Sequence, residues 1–405
     1  MNFAIEPATG GVTAPHGFRS ASLHCGIKAK PGALDLAVLA SDHVGTAAGL
    51  FTTNLAKAAP ILVSQRHLEK SGGRARAVVV NSGCANACTG EDGLANAVRM
   101  ATETAQVLGC APEEVLVAST GVIGVGLKMD RVVPGITGAA SALARDKGDE
   151  MARAIMTTDP FPKDHAVVVT TPRGMFRVGG TAKGSGMIEP NMATMLGFLT
   201  TDAGVPRALL QRALQESARR TFNAITVDGE CSTNDCVFAL ASGANGVTVD
   251  EDLYPALEAA FYEVSKALAI GIVRGGEGAT KLITISVTRA RTPADAMQVA
   301  KTIANSPLVK TAVHGADPNW GRIVAAAGRS GVLFDVDRAT VHVGGILLFE
   351  EGLPHDDAAP EAATHLKNSE VRIDVNLGTS GEEAATVWTC DLSAEYVRIN
   401  GEYRT

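Results

Sequence analysis

Short apolar runs alternate with stretches of helical spacing along most of the chain. Ala77–Val80 is a β-branched run that enters the loop Asn81-Ser82-Gly83-Cys84. From Gly93 to Leu108 apolar positions recur every three to four residues, which predicts a helix. Val115–Ala118 reads as a strand ending in Ser119-Thr120-Gly121, and the alanine-rich stretch Thr137–Met156 reads as one helix. Ala166–Thr170 and Met175–Thr181 form a hairpin pattern around Pro172-Arg173-Gly174. Met195–Leu199 is apolar enough for a buried strand. Pro206–Phe222, with Pro in its first turn, and Leu253–Ala269 are helical, and Lys281–Val287 alternates like a strand. The mixture places the chain in the α/β or α+β class. There is no internal repeat, and the polar turn at Ala290–Pro293 is the expected start of a second domain.

Composition narrows the function classes. The 405 residues are 46% hydrophobic and 20% charged, which supplies a large core and excludes disordered and coiled-coil chains. Lys plus Arg is 36 against 43 Asp plus Glu, and aromatics are 4%, so neither a nucleic-acid footprint nor a base-stacking platform is expected. No apolar run approaches the roughly 18 residues of a membrane span. The N-terminal stretch lacks a basic region followed by an apolar one, so no secretory signal is expected. Seven scattered cysteines suit reduced thiols in a cytoplasm.

Several motif-like features carry little. Gly275-Gly-Glu-Gly-Ala-Thr-Lys281 lacks the Gly-Lys-Ser/Thr ending of a phosphate loop. Gly121, Gly124 and Gly126 have the wrong spacing for a dinucleotide site. The close pairs Cys84/Cys88 and Cys231/Cys236 lack a second ligand pair at zinc spacing, and no metal is expected. Asn223, Asp228, Asn234 and Asp235 form a polar cluster without assignable roles.

The most unusual stretch is Lys183-Gly-Ser-Gly-Met-Ile-Glu-Pro-Asn-Met-Ala-Thr-Met-Leu-Gly-Phe198. A glycine-rich loop precedes Pro190 and Asn191, and Ala193 then meets Thr194 just before an apolar strand. This stretch closely resembles the self-cleavage site of the ornithine acetyltransferase family, the glutamate N-acetyltransferases of arginine biosynthesis. The resemblance runs over nearly the whole chain. It includes Phe51-Thr-Thr-Asn54, Asn81-Ser-Gly-Cys-Ala-Asn-Ala87, Ser119-Thr-Gly-Val-Ile-Gly124 and Met156-Thr-Thr-Asp159. It continues through Asp228-Gly-Glu-Cys-Ser-Thr-Asn-Asp235, Gly275–Lys281, His314-Gly-Ala-Asp-Pro-Asn-Trp-Gly-Arg322 and Arg398-Ile-Asn-Gly-Glu-Tyr-Arg-Thr405. Cys84 departs from the Asn common in the family.

The resemblance implies an αββα sandwich with a smaller α/β domain. The main domain would span 1–289, cut between 193 and 194 and completed by the tail 398–405, with the smaller domain over 290–397. It implies self-cleavage between Ala193 and Thr194, with the new N-terminal Thr194 as nucleophile. An α-amine titrates at about 7.7–8.0, so it can take the proton of its own Oγ without a histidine triad. Thr120 and Gly121 match the family's oxyanion hole. Thr157, Lys183, Thr194, Glu277, Asn400 and Thr405 match its substrate-contacting positions, with Lys183 suited to a carboxylate and Glu277 to an ammonium.

The implied reaction moves acetyl from N2-acetylornithine to L-glutamate, with acetyl-CoA an open second donor and no cofactor. The implied assembly is a heterotetramer with two copies of each fragment. A self-processing aminopeptidase or amidase of the same fold is the alternative, and a non-enzymatic ligand-binding protein is the other. The discriminating observation is the acceptor: glutamate-dependent release of ornithine against hydrolysis.

Overall fold

The computed structural model describes residues 2–189 and 195–402, which fall into two compact units. The first takes in residues up to 223 and 231–272, and the second comprises 224–230 and the chain from 273 onward.

Among the described residues, unit 1 is built on a nine-stranded sheet. Its strands are β1 (Ala4–Ala8), β2 (Phe18–Leu23), β3 (Leu36–Phe51), β4 (Arg74–Cys84), β5 (Val115–Val122), β6 (Lys163–Thr171), β7 (Gly174–Lys183), β8 (Leu196–Thr201) and β9 (Cys236–Ala241). They run in the order β1-β6-β7-β8-β9-β3-β4-β5, with β2 also on β3. The helices are α1 (Ala59–Lys70), α2 (Gly90–Leu108), α3 (Met129–Ser141), α4 (Gly148–Ala154), α5 (Arg207–Arg220) and α6 (Tyr254–Arg274).

β3 explains how one hydrogen-bonded sheet makes two layers. Its first half pairs with β2 and β4, its second half pairs with β9, and the register on β4 shifts between Ala40 and Gly45. Side chains alternate across each strand. Leu39, Val78, Leu116, Phe198 and Phe238 therefore meet in one core between the layers. Val38, Val79 and Val117 face the opposite way, onto Met100 of α2 and Val132 and Ile136 of α3. On the far layer, α5 packs on β3 and β9. A Cβ on Gly180 of β7 would lie 3.0 Å from Val264 and Leu268 of α6, so this helix covers that face closely. The result is the expected four-layer αββα sandwich of the α/β class.

The local expectations hold with one correction. The hairpin is present, with Thr171 opposite Gly174 and Pro172-Arg173 between them. The predicted single helix over 137–156 is instead the end of α3 and the separate α4. Ala144 leaves the helix to exchange backbone hydrogen bonds with Ser20 at 3.0 Å. Arg145 and Asp146 continue in a turn, and α4 starts afresh at Gly148.

Unit 2 contains a six-stranded sheet of β10 (Leu282–Ala290), β11 (Thr340–Val343), β12 (Ile346–Glu350), β13 (Leu353–Pro354), β14 (Glu370–Asn376) and β15 (Glu383–Cys390). Its order is β13-β12-β11-β14-β10-β15. Its helices are α7 (Pro293–Ala304), α8 (Pro307–His314), α9 (Trp320–Gly328), α10 (Ala359–Leu366) and α11 (Ala394–Glu402). Ile283, Ile285 and Val287 of β10 join Val299 and Ile303 of α7 in one core. The expected boundary at 289/290 therefore falls at the end of a strand that pairs on both sides within this sheet, and unit 2 also takes in 273–289. Among the described residues, no helix is long and apolar enough to cross a membrane.

Candidate functional site

In unit 1 the site grows from strand ends. β5 ends at Val122 and carries Thr120 and Gly121, and β7 ends at Lys183. Lys183 Nζ donates to Thr120 Oγ1 at 3.2 Å, and both side chains are buried. Among the described residues this is the ammonium's only hydrogen bond, so it retains two donors. Because Thr120 Oγ1 accepts from a cation, its own O–H is left to donate elsewhere and is polarised for doing so.

Gly121 has φ +129°, and an added Cβ would sit 2.3 Å from the carbonyl carbon of Gly83. Only glycine fits where β4 and β5 approach this closely. The Asn234 side chain braces the same strand end, donating to Ser119 O at 2.9 Å and Ala85 O at 2.6 Å.

Asp159 organises the floor. Its Oδ1 accepts from Lys163 Nζ at 2.6 Å and Gly184 N–H at 2.8 Å, and its Oδ2 accepts from Thr157 N–H at 3.0 Å. One buried carboxylate therefore holds the Thr157 backbone and the residue after Lys183 together. Burial pushes the Asp159 carboxyl up, but the Lys183 and Lys163 charges override it and hold it at about 2. Burial also lowers Lys163, against the pull of Asp159. A third lysine, Lys28, is lowered by burial to about 8, with Asp35 and Asp159 opposing the shift. Lysines 28, 163 and 183 thus act on the low-lying Asp159 carboxylate, with Asp35 as a second carboxylate beside Lys28.

Asp235 precedes β9 and is buried, with Oδ2 lacking a hydrogen-bond partner among the described residues. Burial pushes its carboxyl well above the usual range, and the Ser232 hydroxyl and the Lys183 charge only partly offset this.

In unit 2, Glu277 is buried in the loop 275–281, and Asn400 on α11 donates Nδ2–H to Glu277 Oε2 at 2.7 Å. The expected site residues therefore form two groups. Thr120, Gly121, Lys183 and, through Asp159, Thr157 gather in unit 1, and Glu277 and Asn400 pair in unit 2. Ala193, Thr194 and Thr405 lie outside the described residues.

The sequence reading missed the Asp159–Lys163 pair as an organising element. The available signal was two opposite charges four residues apart around Pro160-Phe161-Pro162. Asp235 was legible only as part of an unassigned polar cluster.

The four layers, with buried lysines and carboxylates at the strand ends, place unit 1 in the αββα sandwich class. The sequence pattern of the ArgJ family matches residues 19–405, and the chain belongs to that family. It is 48% identical over 400 residues to the arginine biosynthesis bifunctional protein ArgJ of Dehalococcoides mccartyi, covering 98% of both chains. It is 49% identical over 407 residues to the protein of that name from Symbiobacterium thermophilum, covering 99% of this chain and 100% of the relative. Among solved structures it is similar to an arginine biosynthesis bifunctional protein of Bacillus halodurans. The identity there is 41%, over 50% of this chain and 97% of that one, with a TM-score of 0.48. It is also similar to the ornithine acetyltransferase of Mycobacterium tuberculosis complexed with ornithine. That match has 42% identity over 47% of this chain and all of the other, with a TM-score of 0.43.

Proposed function

We propose that the protein is a self-processing glutamate N-acetyltransferase that takes acetyl from N2-acetylornithine. The chain cleaves itself between Ala193 and Thr194, and the freed α-amine of Thr194 serves as the base for its own hydroxyl. Thr194 Oγ attacks the acetyl carbonyl while its proton moves to the α-amine. The tetrahedral oxyanion is held by the Thr120 hydroxyl and the Gly121 N–H. The C–N bond then breaks, the α-amine returns the proton to the leaving nitrogen, and ornithine departs from an acetyl-Thr194 ester. The amine of glutamate attacks that ester, giving N-acetylglutamate and restoring the hydroxyl.

The observation that carries this reading is the buried Lys183–Thr120 contact. It supplies a polarised hydroxyl for an oxyanion and an ammonium with spare donors for an α-carboxylate. Glu277, with Asn400 and Thr405, serves the substrate ammonium, and Thr157 contacts the substrate beside Asp159. The relatives are named for arginine biosynthesis, and a biosynthetic role favours acetyl transfer over hydrolysis by an aminopeptidase. The proposal extends to a cytoplasmic heterotetramer of two copies of each fragment, with acetyl-CoA as a second donor in a bifunctional enzyme.

The test is incubation with acetylornithine alone, then mass spectrometry. An adduct of about 42 Da should appear on the second fragment and vanish on adding glutamate, with parallel double-reciprocal plots for the two substrates. Intersecting lines with no adduct would overturn the covalent route.

A further inference from the structure

The loop 275–281 holds Glu277 through contacts that lie outside the proposed substrate-binding set. Asp391, the residue after β15, has a fully buried side chain. Its Oδ1 accepts from the N–H groups of Thr280 at 2.7 Å and Lys281 at 2.8 Å. Its Oδ2 accepts from the Thr280 hydroxyl at 2.5 Å and lies 2.7 Å from His314 Nδ1. Lys281 Nζ in turn donates to the carbonyls of Val313 at 2.7 Å and Leu366 at 2.6 Å. Between Glu277 and Thr280, Gly278 has φ +69°, Ser393 donates to its carbonyl at 2.6 Å, and an added Cβ would lie 2.5 Å from Tyr396 N. The Asp391 carboxyl is raised by burial but lowered further by its bonds from Thr280, His314 and Lys281, so it is an anion in the fold.

We propose that Asp391 is a positioning residue that fixes Glu277 in place by clamping Thr280 and Lys281, and that it thereby sets selectivity for donors with a side-chain ammonium. A charge-assisted bond from a carboxylate to an ammonium depends steeply on geometry, and a loop free to shift dilutes it. One buried carboxylate taking three donors from two successive residues removes that freedom. The Ser393 and Asn400 contacts both come from the segment that follows Asp391, Ser393 just before α11 and Asn400 within it, so one continuous stretch of chain holds both the loop and the partner of Glu277.

This inference rests on the reading that Glu277 meets the substrate ammonium, and the experiment separates the two. The kcat/KM for N2-acetylornithine is divided by that for N-acetyl-L-norleucine, a donor with an uncharged side chain. Wild type, Glu277→Gln, Asp391→Ala and the double variant are compared. Both single substitutions should lower the ratio on the order of tenfold. The double variant should fall no further than Glu277→Gln alone, since the second residue acts through the first. Thr280→Val and Asp391→Asn, which keep most of the fold's contacts, should give smaller losses in the same direction and serve if Asp391→Ala does not fold. A ratio unmoved by Glu277→Gln would refute the underlying assignment. A ratio lowered by Glu277→Gln but unmoved by the Asp391 and Thr280 variants would refute this one. Equal losses for both donors, additive with Glu277→Gln, would reduce Asp391 to a structural role and also refute it.

Discussion

Lys183 Nζ donates to Thr120 Oγ1 at 3.2 Å, joining the last residue of β7 to a strand that lies 63 positions earlier in the chain. The bond has a direction with chemical consequences. Lysine has no acceptor, so the threonine oxygen must accept, and its single proton is left for another group. A hydroxyl bonded to a cation is a stronger donor than a free one. The bond also leaves the ammonium with donors to spare. The same pair can therefore stabilise an oxyanion and meet a carboxylate.

Removing the donor tests the first half of that statement. Thr120→Ala should lower turnover about 10²- to 10³-fold, with KM little changed, because the bond strengthens mainly in the transition state. Steady-state kinetics on the processed variant provide the check, and an unaltered turnover number removes Thr120 from the oxyanion hole.

Lys183→Met addresses the second half. The KM for every donor with an α-carboxylate should rise about tenfold or more, regardless of the donor's side chain. Donors that differ only beyond Cγ, assayed in parallel, would reveal a side-chain-dependent loss and so argue for a different role.

Processing is tested at residue 194 itself. Thr194→Ala should give one intact chain, whereas the wild type should run as fragments 1–193 and 194–405 by intact mass. Cleavage at any other bond contradicts the assignment of the nucleophile.

Gly121→Ala should be poorly tolerated for a backbone reason. The residue would have to hold φ +129° with its Cβ 2.3 Å from the Gly83 carbonyl carbon. A cost of at least about 2 kcal/mol is expected from the strained conformation alone, read from denaturant midpoints. A variant of wild-type stability would mean that β4 and β5 can separate at this point.

The Asp159 carboxylate links stability to pH. Its folded value of about 2 lies below the roughly 3.9 of an unfolded aspartate, so the native state favours the anion. Its contribution is complete above about pH 4 and is lost as pH falls toward and through 2, amounting to roughly 2 kcal/mol. Denaturation of wild type and Asp159→Asn from pH 7 to pH 2 should show a stability gap that closes between about pH 4 and 2. A gap constant over that range contradicts the ion-pair account.

Much of the local architecture was legible in the residues. The β6–β7 hairpin, α2, α5 and β10 follow from periods of two or 3.6 and from the punctuation of Pro and Gly, and β8 from a continuous apolar run, all short-range effects. Thr120, Gly121, Lys183 and Glu277 were legible as candidates through their match to the family's motifs. The double membership of β3 in two layers was not, because a strand's own pattern does not name its partners. The break between α3 and α4 was not either, since Ala144 leaves the helix to pair with Ser20, over a hundred residues earlier. Asp159 and Asp391 look like ordinary loop acids in sequence. Their roles come from what closes around them: Asp159 meets Gly184 from 25 positions away, and Asp391 meets Thr280 from 111. Residue identity sets which groups can donate, accept or carry charge. Only the packed chain removes water from them and brings distant donors within 3 Å, and that burial turns a common carboxylate into a fixed anchor.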